Sequence, residues 1–193
     1  MKKYEITDIA HPDNPNLHRI RAVTDLTENV LAGMLGGYVE SYDNLDQDGR
    51  AWISADAIAC ENAVVCGDAI LTDYAVAKGC AYVGNSAMMT GHAIAQDDAA
   101  ICGGLLTGKS CVCGYAVIRQ DEQTLCAPII DGSARVYGEI SGMSCPALSS
   151  TTGRRTALYS KMTVSALNFP NAHRPRKNPV PMILNDKTKG RCL

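Results

Sequence analysis

The chain has 193 residues, an apolar content of 46% and a formal net charge of −2, which suit one domain with its own core. No apolar run approaches the length of a membrane span, and the first residues turn polar at once, so we expect neither a membrane-spanning segment nor a signal peptide. We therefore expect a cytoplasmic protein whose nine cysteines are reduced.

Residues 1–50 precede the regular part of the sequence and are predicted to form a small N-terminal β cap. The repeats that follow would expose unpaired strand edges at their first turn, and such edges need a cover. His11 and His18 lie in this cap and are interpreted as structural residues.

From residue 51 an alanine returns every six residues, at positions 51, 57, 63, 69, 75, 81, 87, 93 and 99. The third residue of each hexad is large, then Ala, then large, so the full repeat has eighteen residues and Ala59, Ala77 and Ala95 occupy one place in it. The fifth residue is usually a turn former, as in Gly67 and Asp73.

This pattern predicts an all-β solenoid over residues 51–145. The first and third residues of a hexad point to the same side of a strand, and both are apolar or small, so both should point inward. The fifth residue bends the chain, often with a positive φ, and three hexads close one triangular coil. About five such coils would stack at about 4.8 Å by parallel pairing.

The hexads resemble those of the hexapeptide-repeat superfamily, the single-stranded left-handed parallel β-helices, and the left hand follows from that resemblance. The best-known members are acyltransferases that use acyl-CoA or acyl-carrier protein. The segments KYEITD, LHRIRA and AGMLGGYVES also resemble a bacterial and prophage-borne group, the YdcK-like proteins, which are labelled acetyltransferases on the basis of their fold. That resemblance covers residues 1–110 well and the last 50 residues poorly.

The second residue of each hexad should point outward, yet it is apolar almost throughout. Contiguous apolar stripes of this kind mark an interface, although β-branched residues also simply favour strands. We expect one wall to be buried in a homo-oligomer, most simply a homotrimer, and the C-terminal arm to cover another. The predicted interface residues are Trp52, Ile58, Ile70, Val76, Met88, Ile94, Leu106 and Val112.

The regular rhythm changes near residue 111. The segment CVCGYA places Cys111 and Cys113 where Ala93 and Ala95 stood one coil earlier, and Ala116 then comes one residue too soon. Because Ala134 follows Ala116 by eighteen residues, we expect one coil to be kept through 116–133, with residues 122–128 as a small loop or irregular wall.

Residues 146–193 are predicted to form a C-terminal cap and a basic arm. They hold nine Lys or Arg and one acidic residue, whereas residues 1–145 hold nine Lys or Arg and nineteen Asp or Glu. The arm either lies on the acidic body of its own chain or of a neighbour, or binds an anionic ligand or partner through His173, Arg174, Arg176 and Lys177. Nucleic acid is disfavoured, because the arm lacks interleaved aromatic residues.

His92 is the candidate catalytic residue. In acyltransferases that this fold resembles, a histidine near a subunit boundary acts as general base, and His92 ends the hexad AMMTGH at a coil corner. Asp97 and Asp98 could orient its ring if the geometry permits. The alternative interpretation is a solvated corner histidine. A metal site is not expected either, because no His or acidic residue stacks with the cysteines of the coils.

Two functions of different classes remain open. One is a non-catalytic homo-oligomeric binding protein, borne by a phage or prophage, that binds a host protein or sequesters a small anionic metabolite in clefts between subunits and needs no cofactor. The other is a CoA-dependent acetyltransferase that uses acetyl-CoA, with His92 as general base. The coils of residues 51–115 show no insertion that could wall an acceptor site, which favours the binding protein.

Overall fold

A computed structural model describes residues 2–142 of the chain. This part is built from strands, contains no helix, and forms a left-handed parallel β-helix of about 6 turns. The repeat predicts the parallel solenoid, and the family resemblance predicts its left hand. The strands are β1 (Tyr4–His11), β2 (Asn14–Ala22), β3 (Leu35–Val39), β4 (Trp52–Ile53), β5 (Ile58–Ala59), β6 (Val64–Val65), β7 (Ile70–Leu71), β8 (Val76–Ala77), β9 (Tyr82–Val83), β10 (Met88–Met89), β11 (Ile94–Ala95), β12 (Ala100–Cys102), β13 (Leu105–Leu106), β14 (Cys111–Val112), β15 (Val117–Arg119), β16 (Ile129–Ile130), β17 (Arg135–Val136) and β18 (Glu139–Ser141).

Three parallel sheets form the walls of the β-helix. Wall 1 contains β5, β8, β11, β14 and β17; wall 2 contains β6, β9, β12, β15 and β18; wall 3 contains β4, β7, β10, β13 and β16. The regular coils pair in the eighteen-residue register, for example Ala59 with Ala77 and Ala77 with Ala95.

The N-terminal region contains three antiparallel strands, β1 to β3, that are continuous with wall 1. β1 pairs with β2, β2 pairs antiparallel with β3, and β3 pairs parallel with β5. Leu45 then bridges to Val65 on wall 2. A first turn therefore exists before the alanine series begins, and the β-helix has about 6 turns where the alanine pattern predicts about five.

The core is the narrow prism that the sequence predicts. The alanines at the first position of the hexads, from Ala51 to Ala99, are buried, and so are the third residues. Small side chains are needed there because side chains from three walls meet at the axis. Leu71, Val83 and Met89 fill the remaining space, with no solvent exposure.

The fifth residue of the regular hexads adopts the left-handed conformation, whatever its type. Gly67, Gly79 and Gly91 have φ values of 67, 70 and 66°, and Asp73 and Asp97 have 58 and 61°. This confirms the predicted role of the fifth position as the corner of the coil.

One prediction about register is wrong. Met88 pairs with Leu105 and Ile94 with Cys111, seventeen residues further on, so one coil is a residue short. The missing residue lies at the corner formed by Gly103 and Gly104, whose φ values are 116 and 101°. Two glycines in left-handed conformations close this corner in one residue fewer than the other corners use.

The short corner changes the assignment of residues 105–113. Leu106 and Val112 are fully buried in the core, so their predicted place on an outer, interface-forming wall is wrong. The outward positions belong to Leu105 and Cys111, which pair with Met88 and Ile94. Cys111 and Cys113 are buried as expected, but Ser110 and Val112 take the places of Ala93 and Ala95.

The next coil is longer, and not the eighteen-residue coil predicted for 116–133. Leu105 pairs with Ile129 and Cys111 with Arg135, twenty-four residues on, whereas Val117 pairs with Glu139. Ala116 and Ala134 therefore lie at the starts of different walls. The extra residues form the predicted loop between β15 and β16, closed by a hydrogen bond from Asp121 N to Cys126 O of 3.0 Å.

The cap and arm predicted for residues 146–193 lie outside the described residues, as does the last part of the segment assigned to the β-helix. Within the described range, no helix is long and apolar enough to cross a membrane.

Candidate functional site

The candidate site lies at the corner between wall 3 and wall 1, where successive coils place their sixth residues in one column. His92 is exposed there, and its ring stacks on Tyr74 of the preceding coil, with centroids 5.0 Å apart and an interplanar angle of 10°. His92 N donates to Gly108 O, so Lys109 occupies the same corner position one coil further on. The column thus presents an aromatic ring, an imidazole and an ammonium group.

Asp73 is the carboxylate of this corner. Its Oδ2 accepts a hydrogen bond from the Thr90 hydroxyl and another from Gly91 N at 2.9 Å. These two bonds, the Thr90 bond foremost, hold the pKa of Asp73 below its usual value, with a smaller contribution from His92. Asp73 is therefore ionised at neutral pH and fixes the corner on which His92 lies.

The carboxylates expected to orient His92 lie elsewhere. Asp97 is at the next corner, between walls 1 and 2, and its Oδ2 accepts a hydrogen bond from Gly114 N at 2.9 Å. Asp98 follows it on the same corner. The ring of His92 is oriented by stacking on Tyr74, whereas Asp97 and Asp98 lie at the following corner.

The outer faces of walls 1 and 3 carry the other predicted site residues. On wall 1, Ile58, Val76 and Ile94 form a ladder of partly exposed side chains in register. On wall 3, Ile70 and Met88 are 41% and 40% exposed. These five residues remain available for an interface.

Trp52 also points outward on wall 3, but its own chain covers it. Its side chain is 5% exposed, and a Cβ at Gly36 of β3 would come within 2.8 Å of its Cζ2. The prediction that Trp52 contributes to an intermolecular interface is therefore wrong, because the N-terminal part of the chain already buries the ring.

A second polar feature lies at the corner between walls 1 and 2. Glu61, Lys78, Gln96 and Asp97 surround a shallow depression of about 170 Å³. Glu61 and Asp97 are used structurally, since Glu61 Oε2 accepts from Gly79 N at 2.7 Å in the same way as Asp97 accepts from Gly114 N. Ligand sites typically enclose about 300–1,000 Å³, so this depression is small for a binding site.

Burial makes Cys60, Cys66, Cys102 and Cys113 poor nucleophiles, because it raises the pKa of each thiol. Burial raises the pKa of Cys60 and of Cys113 to about 11, so both thiols are protonated at neutral pH. Cys66 Sγ lies 3.1 Å from the Tyr82 hydroxyl, and burial raises its pKa as well. Among residues 2–142, no three His, Cys, Asp or Glu side chains are grouped so that they could hold a metal ion.

The predicted anion-binding residues His173, Arg174, Arg176 and Lys177 lie outside the described residues. Sequence reasoning found His92 but missed Tyr74 and Lys109, its neighbours in the corner column. The signal was present for Tyr74, because residues eighteen apart in the regular coils stack directly. Lys109 could not be found in this way, because it follows His92 by seventeen residues in the coil that is one residue short.

No protein-family model matches this sequence. No curated protein matches it either. The class of the protein, a parallel β-helix of the hexapeptide-repeat type, therefore rests on its eighteen-residue coils and on the parallel register of its walls.

Proposed function

We propose that the protein is a non-catalytic homo-oligomeric β-helix binding protein, a homotrimer, that binds a host protein or sequesters a small anionic metabolite in clefts between its subunits. The observation that carries the proposal is the apolar outer face of the coils. On wall 1, Ile58, Val76 and Ile94 form an uninterrupted ladder where a solvated wall would carry polar side chains.

Packing of subunits through wall 1 would bring the corner column to the edge of the interface. Tyr74 and His92 would line the cleft with stacked rings, and Lys109 would supply a positive charge. Stacked rings beside an ammonium group suit a planar or carboxylate-bearing anion. A phage or prophage origin is part of the proposal and rests only on the resemblance of the segments KYEITD, LHRIRA and AGMLGGYVES to prophage-borne β-helix proteins.

Light scattering on the full chain tests the assembly. We expect a mass about three times the 20.5 kDa of one chain, and we expect Val76→Glu to dissociate the trimer because it places a carboxylate in the wall-1 interface. Val64→Glu, the same change at the matching outward position of wall 2, is the control. A wild-type monomer at micromolar concentration would contradict the proposal.

Native mass spectrometry on the purified trimer tests the cleft. We expect a retained small acid in the wild type and its loss in Lys109→Glu, with the trimer unchanged. If the wild type retains no small molecule, and a pull-down from host lysate is also empty, the binding function is wrong even if the trimer is present.

A second candidate is a CoA-dependent acetyltransferase, which the superfamily resemblance suggests. The supporting observation is that the exposed imidazole of His92 is held by stacking on Tyr74. In this reaction His92 would accept the proton of an acceptor hydroxyl or amine as that group attacks the thioester carbon. It would return the proton to the CoA thiolate that leaves as the carbon–sulfur bond breaks, which gives the acetylated acceptor and free CoA. Acetyl-CoA should then bind with micromolar affinity in calorimetry, and His92→Ala should abolish turnover without changing the fold. Absence of CoA binding would remove this candidate.

A further inference from the structure

Wall 3 presents the most exposed apolar stripe among the three walls. Ile70, Met88 and Ile129 are 41%, 40% and 37% exposed and lie in register, with the partly exposed Leu105 between the last two. The stripe runs from β7 to β16, over three coil spacings of about 4.8 Å. A continuous apolar face of this length is a docking surface that the described residues leave uncovered.

The described chain ends beside this wall. Gly142 follows β18 on wall 2, and its N donates to Arg119 O at 3.2 Å. A Cβ at Gly142 would lie 2.0 Å from the Cβ of Asp121, which belongs to the loop that leads from wall 2 to wall 3. The chain therefore leaves the last coil at the corner that borders wall 3, and residues 143–193 follow from there.

The charges around wall 3 fit those residues. Asp121 and the exposed Glu122 lie on the edge next to wall 2, beside the ion pair of Asp68 with Arg50. Asp73 and Asp131 lie on the other edge, which also carries Lys109. Residues 143–193 hold nine Lys or Arg and a single acid, Asp186. Residues 143–169 also offer apolar side chains, including Leu158, Leu167 and Phe169.

We propose that residues 143–193 dock on wall 3 of their own chain. The apolar residues of 143–169 cover Ile70, Met88 and Ile129. The basic residues of 171–177 lie along the edge next to wall 2, where Asp121 and Glu122 lie, and leave the corner of Tyr74, His92 and Lys109 open. The stripe spans about 14 Å, which four or five extended residues can cross, so the segment has ample reach. This inference is independent of the trimer, which uses wall 1.

A second copy of wall 3 is a poorer occupant. Two such walls placed face to face would bring the carboxylates of Asp73 and Asp131 towards those of the partner, and like charges oppose such an approach. The C-terminal residues bring the opposite charge and are tethered at the edge of the wall. Tethering gives them a high effective concentration, so modest contacts suffice.

Photo-crosslinking in the full chain tests the docking. With p-benzoylphenylalanine in place of Met88, we expect crosslinks to peptides from residues 143–193. In place of Val64, the matching outward residue of wall 2, we expect at least fivefold fewer. Equal melting midpoints of the two proteins will show that both fold. Crosslinks from position 88 to the coils of another copy, or no crosslinks at all, would overturn the proposal.

Isotope mixing and charge reversal complete the test. When ¹⁵N-labelled and unlabelled chains are mixed before assembly, crosslinked peptide pairs should carry the same label, whereas mixed pairs would show docking on a neighbouring chain and refute docking in cis. Arg174→Glu combined with Arg176→Glu and Lys177→Glu should lower the crosslink yield at position 88 several-fold at low salt. An unchanged yield would refute the electrostatic part of the proposal.

Discussion

At the residue scale, Ala77 shows how tightly the prism is filled. It pairs in register with Ala59 and Ala95 and has no solvent exposure. We expect Ala77→Leu to lower the free energy of unfolding by about 1–3 kcal/mol, since the added atoms must displace side chains from the other two walls. Urea unfolding measures the change. Ala100→Leu, on the outer face of wall 2, is the control and should change stability little; an equal effect would contradict the inward assignment.

Ser110 is a polar residue at the first position of a hexad, which alanine occupies in the regular coils. It occupies the place of Ala93 in the next coil, is fully buried, and its Oγ has no hydrogen-bond partner in the described part of the chain. Ser110→Ala should therefore raise the free energy of unfolding by about 1 kcal/mol, because it removes an unsatisfied hydroxyl. Ser133→Ala, at an adjacent corner, should have little effect. A destabilised Ser110→Ala protein would show that the hydroxyl has a partner.

At the element scale, the corners are built from glycine and acidic residues that stack on one another. Gly79 has a φ of 70°, and a Cβ there would lie 2.7 Å from Asp97 N of the next coil, whereas Gly114 has a φ of 66° with nothing within 4 Å. Both Gly→Ala changes incur the cost of a left-handed alanine, about 1 kcal/mol. Gly79→Ala should cost at least about 1 kcal/mol more, because it also clashes. Equal thermal shifts for the two variants would contradict this account of the corner.

The corner carboxylates also predict the response to acid. Hydrogen bonds from Arg50 and from Thr90 lower the pKa values of Asp68 and Asp73 below their ordinary value of 3.8. A carboxyl group whose pKa is lower in the folded state stabilises that state above pH 3.8, and the contribution is lost as the pH falls through the folded-state pKa. Stability should therefore be flat near pH 6 and fall below about pH 4.

Asp73→Asn isolates the charge in this acid response, because an amide oxygen still accepts hydrogen bonds from Thr90 and Gly91. Its stability should decline less steeply below pH 4 than that of the wild type in urea titrations. Asn62→Ala, a change without charge at an exposed corner position, should keep the wild-type slope. A wild-type slope in Asp73→Asn would show that Asp73 titrates equally in the folded and unfolded states.

At the scale of the whole molecule, the sequence predicts the coils as far as the alanine rhythm lasts. Ala51 to Ala99 are buried as predicted because one small side chain per hexad is a geometric requirement of a narrow prism. The rhythm fails at Gly103 and Gly104, since a double glycine can close a corner in fewer residues. Leu105 and Leu106 are both apolar, so hydrophobicity alone could not show which of them points inward.

The candidate site was predictable to a smaller extent, for the same reason. Tyr74 and His92 are eighteen residues apart in regular coils, so their contact follows from the repeat, whereas the place of Lys109 depends on the short corner. The small residues Gly104, Ser110 and Ala116 are six apart and carry the corrected register. A repeat that allows any small residue at the first position of the hexad, and not only alanine, predicts this register.

A core substitution in a stack of coils should destabilise mainly the coils around it, since each coil contacts only its neighbours. Tyr4 of the N-terminal hairpin is fully buried, and its hydroxyl donates to Leu45 O at 2.7 Å, which ties the hairpin to the first turn. Tyr4→Ala should cost about 3–5 kcal/mol and speed hydrogen exchange in residues 35–65 while leaving 94–118 protected. Ile130→Ala, in the core of the last described coil, should do the reverse. If either change accelerates exchange evenly along the chain, the β-helix unfolds as one cooperative unit and its coils do not act as separate repeats.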